Sequence, residues 1–175
     1  APMGSKLLSR RDLEFLLHEW LDAGSLCDRP RFADHSRETF DAALDTAERI
    51  ATEVFLPHRR KSDVEEPSFD GDRVHLIPEV KASFEAFAAA GLLAAAADYD
   101  YGGMQLPVLV DKACFAYFLA ANVGSSGYPL LTAANANLLL AHGSPPQIES
   151  FVRPMLGGRF TGTMCLSEPQ AGSSL

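Results

Sequence analysis

The sequence predicts a mainly α protein that turns to β only at its C-terminal end. Three observations carry this. Apolar residues recur at helical spacing along most of the chain, and these stretches are bounded by polar caps and by glycine or proline stops. Only 160–166, FTGTMCL, alternates as a strand does, with threonine and aromatic character. Of 175 residues, 47% are hydrophobic and 22% charged, a globular mixture with enough length to bury a core as one domain, or as one domain plus a short appendage.

Ser9 predicts a helix from Arg10, with Asp12 in its first turn and Leu13, Leu16, Leu17, Trp20 and Leu21 forming one apolar stripe until Gly24. A lone helix of this length is marginal in water, so it must dock on the body of the chain or on a partner subunit. Gly4-Ser5 resembles a cloning remnant, and the first five residues are left out of the fold prediction. Beyond Arg29-Pro30, Phe40, Leu44, Ala47, Ala51 and Val54 line one face of a longer helix, which Pro57 is expected to end. The next stretch, 58–75, is expected to be an exposed loop, with His58-Arg59-Arg60-Lys61 as a solvated linker. Within it Asp70-Gly71, flanked by Phe69 and Val74, predicts a small hairpin.

Pro78 suits a first helical position, Val80, Phe84, Phe87 and Ala88 supply the buried stripe, and Gly91 the stop. A short, extended, close-packed passage is expected over 92–97. The loop DYDYGGMQLP, 98–107, holds two adjacent glycines, which call for unusual backbone angles or close packing. Segments 108–123 and 129–142 are apolar around most of their circumference, as helices inside a bundle are, with 124–127 as the loop between them. Ser144-Pro145-Pro146-Gln147 carries a capping box, and its helix should stop at Gly157-Gly158.

Fifteen Lys and Arg against 23 Asp and Glu give a net charge of −8, which disfavours nucleic acid as a partner. Cys27, Cys114 and Cys165 make neither a disulfide framework nor a CxxC site, which points to a reducing compartment; Cys114 and Cys165 are expected to be small buried hydrophobes. No apolar run reaches bilayer length and no secretory pattern opens the chain, so the expected location is cytoplasmic, with no membrane partner. There is no Walker loop, Rossmann glycine pattern or metal-ligand spacing among the scattered histidines. His18-Glu19 lacks a second histidine at position 22, and Gly124-Ser125-Ser126-Gly127 lacks the spacing of a nucleophile elbow.

The C-terminal motif is where chemistry is expected. Ser167-Glu168-Pro169 breaks the strand pattern, so a hydroxyl and free backbone N–H groups emerge together. Ala171-Gly172-Ser173 lets the main chain pass close to a flat or phosphorylated molecule; the same residues would also serve an ordinary turn. YGG at 101–103, His142-Gly143, the helix with Gln147, Phe151 and Pro154, and finally GGRFTGTMCLSEPQAGS at 157–173 resemble, in order and spacing, the acyl-CoA dehydrogenase family. The resemblance covers 36–175, and 1–35, with its one amphipathic helix, looks like the N-terminal extension of the larger bacterial branch that includes 3-methylmercaptopropionyl-CoA dehydrogenase.

That resemblance implies the family's helical N-terminal domain over 36–159 and, over 160–175, the first strand of a β-barrel domain that the chain holds only in part. It implies FAD as cofactor, an acyl-CoA substrate, electron-transfer flavoprotein as acceptor and a homo-oligomer. By motif position, the backbone of Met164 and Leu166 and the hydroxyl of Ser167 face the flavin ring. Gly172 and Ser173 lie at the edge of the flavin site, and Ser173 also beside the pantetheine arm of the substrate. Ser174 stands where an aspartate is frequent. The family reaction removes a proton α to the thioester with a glutamate base and passes the β-hydride to the flavin, leaving a trans-2-enoyl-CoA. That base belongs to a C-terminal region, so Glu168 is expected to be structural and no catalytic residue is assigned. The chain is expected to be the front part of a longer enzyme, inactive and weak in FAD binding by itself. An acyl-CoA oxidase, a flavin monooxygenase of the same fold, or a non-catalytic helical module completed by a partner chain stay open as alternatives; a DNA-protective relative is disfavoured by the acidic balance.

Overall fold

Ser36 opens the main body of the protein. In the computed structural model, which describes residues 7–173, its hydroxyl accepts from Thr39 N and its own N–H donates to Thr39 Oγ1 at 2.9 Å, closing a capping box at the start of α2, Arg37–Ile50. Phe40, Leu44 and Ala47 are fully buried along one face, as the periodicity predicts. Pro57 does not end the run. A π turn, Ala51–Phe55, and a 3-10 turn, Leu56–His58, absorb the lost donor, and α3, Arg59–Val64, follows. The expected solvated linker is therefore helical, and its first residue is core: His58 is buried, donating from Nδ1 to Val54 O at 2.9 Å, with Nε2 2.8 Å from the Ser125 hydroxyl.

The hairpin forms as expected. Strands β1, Ser68–Phe69, and β2, Val74–His75, pair antiparallel with Phe69 opposite Val74. Helix α4, Pro78–Ala89, buries Val80, Phe84 and Phe87 and stops at Gly91, whose φ is +75°. The passage after it is not extended. Leu92–Ala94 forms a buried 3-10 turn, because short alanine-rich chain gains backbone bonds by coiling where no strand stands beside it. The YGG loop packs closely: a Cβ added at Gly103 would overlap the Ala97 carbonyl.

Helices α5, Val108–Ala121, and α6, Val123–His142, follow almost without interruption. The expected loop at 124–127 is instead the first turn of α6. Asn122 alone breaks the two helices apart, and its side chain caps α6 by accepting from Ser125 N at 3.1 Å. Helix α7, Pro145–Gln147, a π turn at Ile148–Val152 and α8, Arg153–Leu156, continue one another. The predicted capping box is present, with Ser144 N donating to Gln147 Oε1 at 2.8 Å.

Helix α2 packs on α5, and α6 on α4, α5 and α8. At the centre Phe55, Phe87, Phe115 and Phe118 meet mostly edge to face, with centroids 4.7 Å apart for Phe87 and Phe118. The thiol of Cys114 lies in this layer, where burial, reinforced by Asp111, pushes it up to about 12 and leaves it unreactive.

The N-terminal segment docks on the body. Helix α1, Arg10–Glu14, is capped by Ser9 and runs into a π turn, Phe15–Trp20; the stop falls at Asp22, with φ +46°, and Gly24 lies in the following 3-10 turn. Arg10 reaches Asp45 at 2.8 Å and Asp41 at 3.5 Å on α2. Only Leu17 of the predicted stripe is buried; Leu16, Trp20 and Leu21 stay exposed and Leu13 is partly covered. Residues 29–35 are tied to the 94–105 region by an Arg31–Asp98 ion pair and by His35 Nε2, which donates to Met104 O at 2.8 Å. Gly4-Ser5 and Ser174 lie outside the described residues.

No strand forms over 160–166. Among the described residues this segment has no ladder partner, and alternation along a chain cannot make a strand without one. The remaining β feature is a bridge between Glu168 and Ala171. No helix among the described residues is long and apolar enough to cross a membrane.

Candidate functional site

Four local features deliver the C-terminal arm, 159–173, to one face of the helical body. Helix α8 ends in Gly157 and Gly158, the latter at φ +73°, where an added Cβ would strike Ala88 of α4. Arg159 N and Phe160 N both donate to Pro154 O, at 2.8 and 3.2 Å, and turn the chain back along the bundle. Gly162 N then donates to Thr132 Oγ1 at 3.0 Å, and Asn135 Nδ2 donates to Thr163 O at 3.2 Å. The approach at Gly162 is so close that a Cβ there would lie 2.7 Å from Asn135 Cβ and 3.2 Å from Met155 Sδ.

Beyond Thr163 the arm is open to solvent. Met164 and Leu166 are 61% and 53% exposed, and Ser167, Gly172 and Ser173 are exposed as well. The backbone N–H groups of Met164, Leu166 and Ser167 find no acceptor among the described residues. A reciprocal pair, Glu168 N to Ala171 O at 2.8 Å and Ala171 N to Glu168 O at 3.1 Å, closes a turn around Pro169-Gln170. Gly172 has open space where a side chain would stand. All five sequence-predicted residues thus share one short, donor-rich segment. Cys165, expected to be buried, is exposed.

Other motif residues serve the support. Arg153 is held by Glu149 at 2.9 Å, donates to Asp100 O at 2.8 Å and lies 5.2 Å from the Tyr101 ring centroid, so the YGG loop is fastened to the helix from which the arm departs. The Glu149 hydrogen bond and charge raise the Arg153 guanidinium above its ordinary range. Gly143 is required, since a Cβ would approach Leu139 O to 2.5 Å. The side chain of Glu168 makes no hydrogen bond or ion pair among the described residues, and its part is the backbone turn.

An exposed hydroxyl with adjacent unpaired N–H groups and no side-chain obstruction fits the pyrimidine edge of a flavin, whose acceptors lie in one plane. A cleft of about 770 Å³ lies between α3 and the α5–α6 junction and includes no residue of the arm. Its lining mixes Arg59 and Arg60 with Asp63 and Glu65. No grouping of three or more His, Cys, Asp or Glu able to hold a metal occurs among the described residues.

Sequence reasoning missed Thr132, Asn135 and Gly162, which fix the arm, and the buried pair His58–Ser125. The signal existed for the first two: they are polar interruptions in the otherwise apolar 129–141.

Residues 37–159 match the family model described as acyl-CoA dehydrogenase, N-terminal domain. A 3-methylmercaptopropionyl-CoA dehydrogenase of Ruegeria pomeroyi is 32% identical over 134 residues, covering 77% of this chain and 23% of that protein. Two butyryl-CoA dehydrogenases of Syntrophomonas wolfei are 26% and 27% identical, over 99% and 97% of this chain and 29% and 28% of theirs. The chain thus spans less than a third of the length of the curated relatives it matches. The fold, the ordered motifs and these matches agree that the chain belongs to the acyl-CoA dehydrogenase family and contains its N-terminal domain.

Proposed function

We propose that this chain supplies the helical wall and a flavin-facing segment of an FAD-dependent acyl-CoA dehydrogenase that converts an acyl-CoA thioester to its trans-2-enoyl-CoA. The observation that carries the reading is the open segment 164–173, whose unpaired donors stand at the edge of a rigid helical layer. The relatives named for butyryl-CoA and 3-methylmercaptopropionyl-CoA support an acyl-CoA thioester as substrate class.

Bound FAD would supply a two-electron acceptor for the substrate hydride. The Ser167 hydroxyl and the main chain of Met164 and Leu166 would donate to the pyrimidine edge, where negative charge gathers on reduction. Fixed donors there favour electron arrival, because they need no reorientation at the moment of transfer. Gly172 leaves the main chain free to approach the cofactor, and Ser173 offers a hydroxyl to both FAD and the pantetheine arm. The proton-abstracting base lies outside these residues. The domain division that goes with this reading is an extension at 1–35, a helical domain at 36–159 and the beginning of a barrel at 160–175. Electron-transfer flavoprotein as acceptor, a homo-oligomeric assembly and a cytoplasmic location complete the proposal.

Anaerobic titration of the complete, FAD-loaded protein with acyl-CoA thioesters of graded length tests it. Bleaching of the flavin band is expected; no bleaching at any length overturns it. Oxygen uptake in the aerobic reaction would instead indicate an oxidase or monooxygenase. The 175-residue chain alone should retain little FAD and show no dehydrogenase activity, and recovery of stoichiometrically yellow protein would refute that part.

A further inference from the structure

The arm carries a strand-like sequence, yet among the described residues no strand lies beside 160–166. Two side chains of α6, one turn apart, hold its residues 162–163. Thr132 is fully buried, and its hydroxyl donates to Tyr128 O at 2.7 Å. With the proton so committed, Oγ1 can only accept from the arm, and it meets Gly162 N at 3.0 Å. Asn135 supplies the complementary group, donating to Thr163 O at 3.2 Å. One anchor takes a donor of the arm and the other an acceptor, on consecutive residues. The missing side chain of Gly162 brings the arm against Asn135 and Met155.

We infer that Thr132 and Asn135 are positioning residues for the cofactor: they fix the height and rotation of 162–163 on α6, and so aim the donors of Met164, Leu166 and Ser167. This rests on the flavin reading above. The contacts of both anchors with the arm are to its main chain, so the effect inferred here passes through the arm. Donors that wander lose most where they matter most, against the reduced flavin, whose charge is concentrated at the edge they face. A fixed arm therefore discriminates between reduced and oxidised cofactor, whereas a loose one binds both less well and more nearly alike.

The test uses the complete protein reconstituted with FAD and three variants. Thr132→Val keeps the shape and deletes the acceptor, Asn135→Ala deletes the donor, and Thr132→Ser retains the hydroxyl. Hydrogen exchange across 160–167 reads the anchor, and the flavin midpoint potential reads the aim. Thr132→Val and Asn135→Ala should each speed exchange of the arm while α2 and α5 stay protected. Each should lower affinity for reduced FAD roughly tenfold more than for oxidised FAD, which is about 30 mV more negative for a two-electron couple. Thr132→Ser should stay within twofold of the parent. Unchanged exchange in both anchor variants overturns the anchoring. Faster exchange with an unchanged potential overturns the positioning role while leaving the flavin reading intact. If the unaltered protein takes up no FAD, the flavin reading itself falls and the inference falls with it, a result told apart by needing no variant.

Discussion

Phe118 offers the most direct check on the helical layer behind the arm. Its side chain is fully buried, with ring centroids 4.7 Å from Phe87 and 4.9 Å from Phe55, both edge to face, and 6.2 Å from Phe115. Replacing it by alanine removes the transfer free energy of the ring and leaves a cavity walled by three other rings, which relax poorly. Such truncations cost about 3–5 kcal/mol. Because two favourable aromatic pairs vanish as well, each worth about 0.5–1.5 kcal/mol, the upper part of that range is expected. A domain of this size is stable by about 5–15 kcal/mol, so the variant should fold but with its urea midpoint greatly lowered. Equilibrium unfolding followed by circular dichroism gives the number, with Phe160→Ala as control. Phe160 is 48% exposed and should change stability by less than about 1 kcal/mol. A loss at Phe118 below about 2 kcal/mol, or equal to that at Phe160, would refute the packing described for α2, α4 and α5.

Ser125→Ala should cost about 1–3 kcal/mol in the same assay, because it strips the partner from a buried His58 nitrogen; a neutral result would mean that His58 is solvated. In the hairpin, the N–H of Arg73, then the His75 ring and the N–H of Asp72, hold the Asp70 carboxyl at about 2 against an ordinary 3.8. A depressed folded value means that this contribution is complete above about 3.8 and disappears as pH falls through about 2. Carboxyl chemical shifts across that window should titrate near the lower figure, and a midpoint at 3.8 or above contradicts the hairpin geometry. Thiol titration of the folded chain should find Cys165 reacting first and Cys114 silent until unfolding; early labelling of Cys114 would disprove its burial.

The helices were legible because a one-sided apolar stripe with a matching cap has few alternatives, as Ser36 with Phe40, Leu44 and Ala47 illustrates. Boundaries were less so. Pro57 and 124–127 are ordinary stop signals locally, but a π turn accommodates the first and Asn122 moves the second break three residues upstream of Ser125. At the second, burial of Ser125 and Ser126 in the first turn of α6 outweighs a local preference that amounts to a few kcal/mol at most; at the first, α3 itself buries no residue, and the chain is held by the buried ring of His58 in the turn before it. His58 shows the same limit from the other side. Its basic neighbours suggested solvent, yet its ring is buried against Ser125, 67 positions away in sequence, a contact that no local pattern can announce.

The candidate segment was legible in its residue order and not in its shape. SEPQAGS marks the segment because hydroxyl, proline, alanine and glycine occur there in a set order, and order survives in a sequence. A strand is different, since alternation records which side chains share a face and is silent on whether another strand is present to pair. The arm therefore keeps the sequence of a strand while taking its support from α6. Thr132 and Asn135 satisfy backbone groups that a ladder would otherwise satisfy, and they do so only on 162–163, leaving 164–167 with donors uncommitted. In the proposed flavin reading, the anchored start at 162–163 sets the height of the continuation that carries the donors. An untethered segment could not hold such donors in a plane.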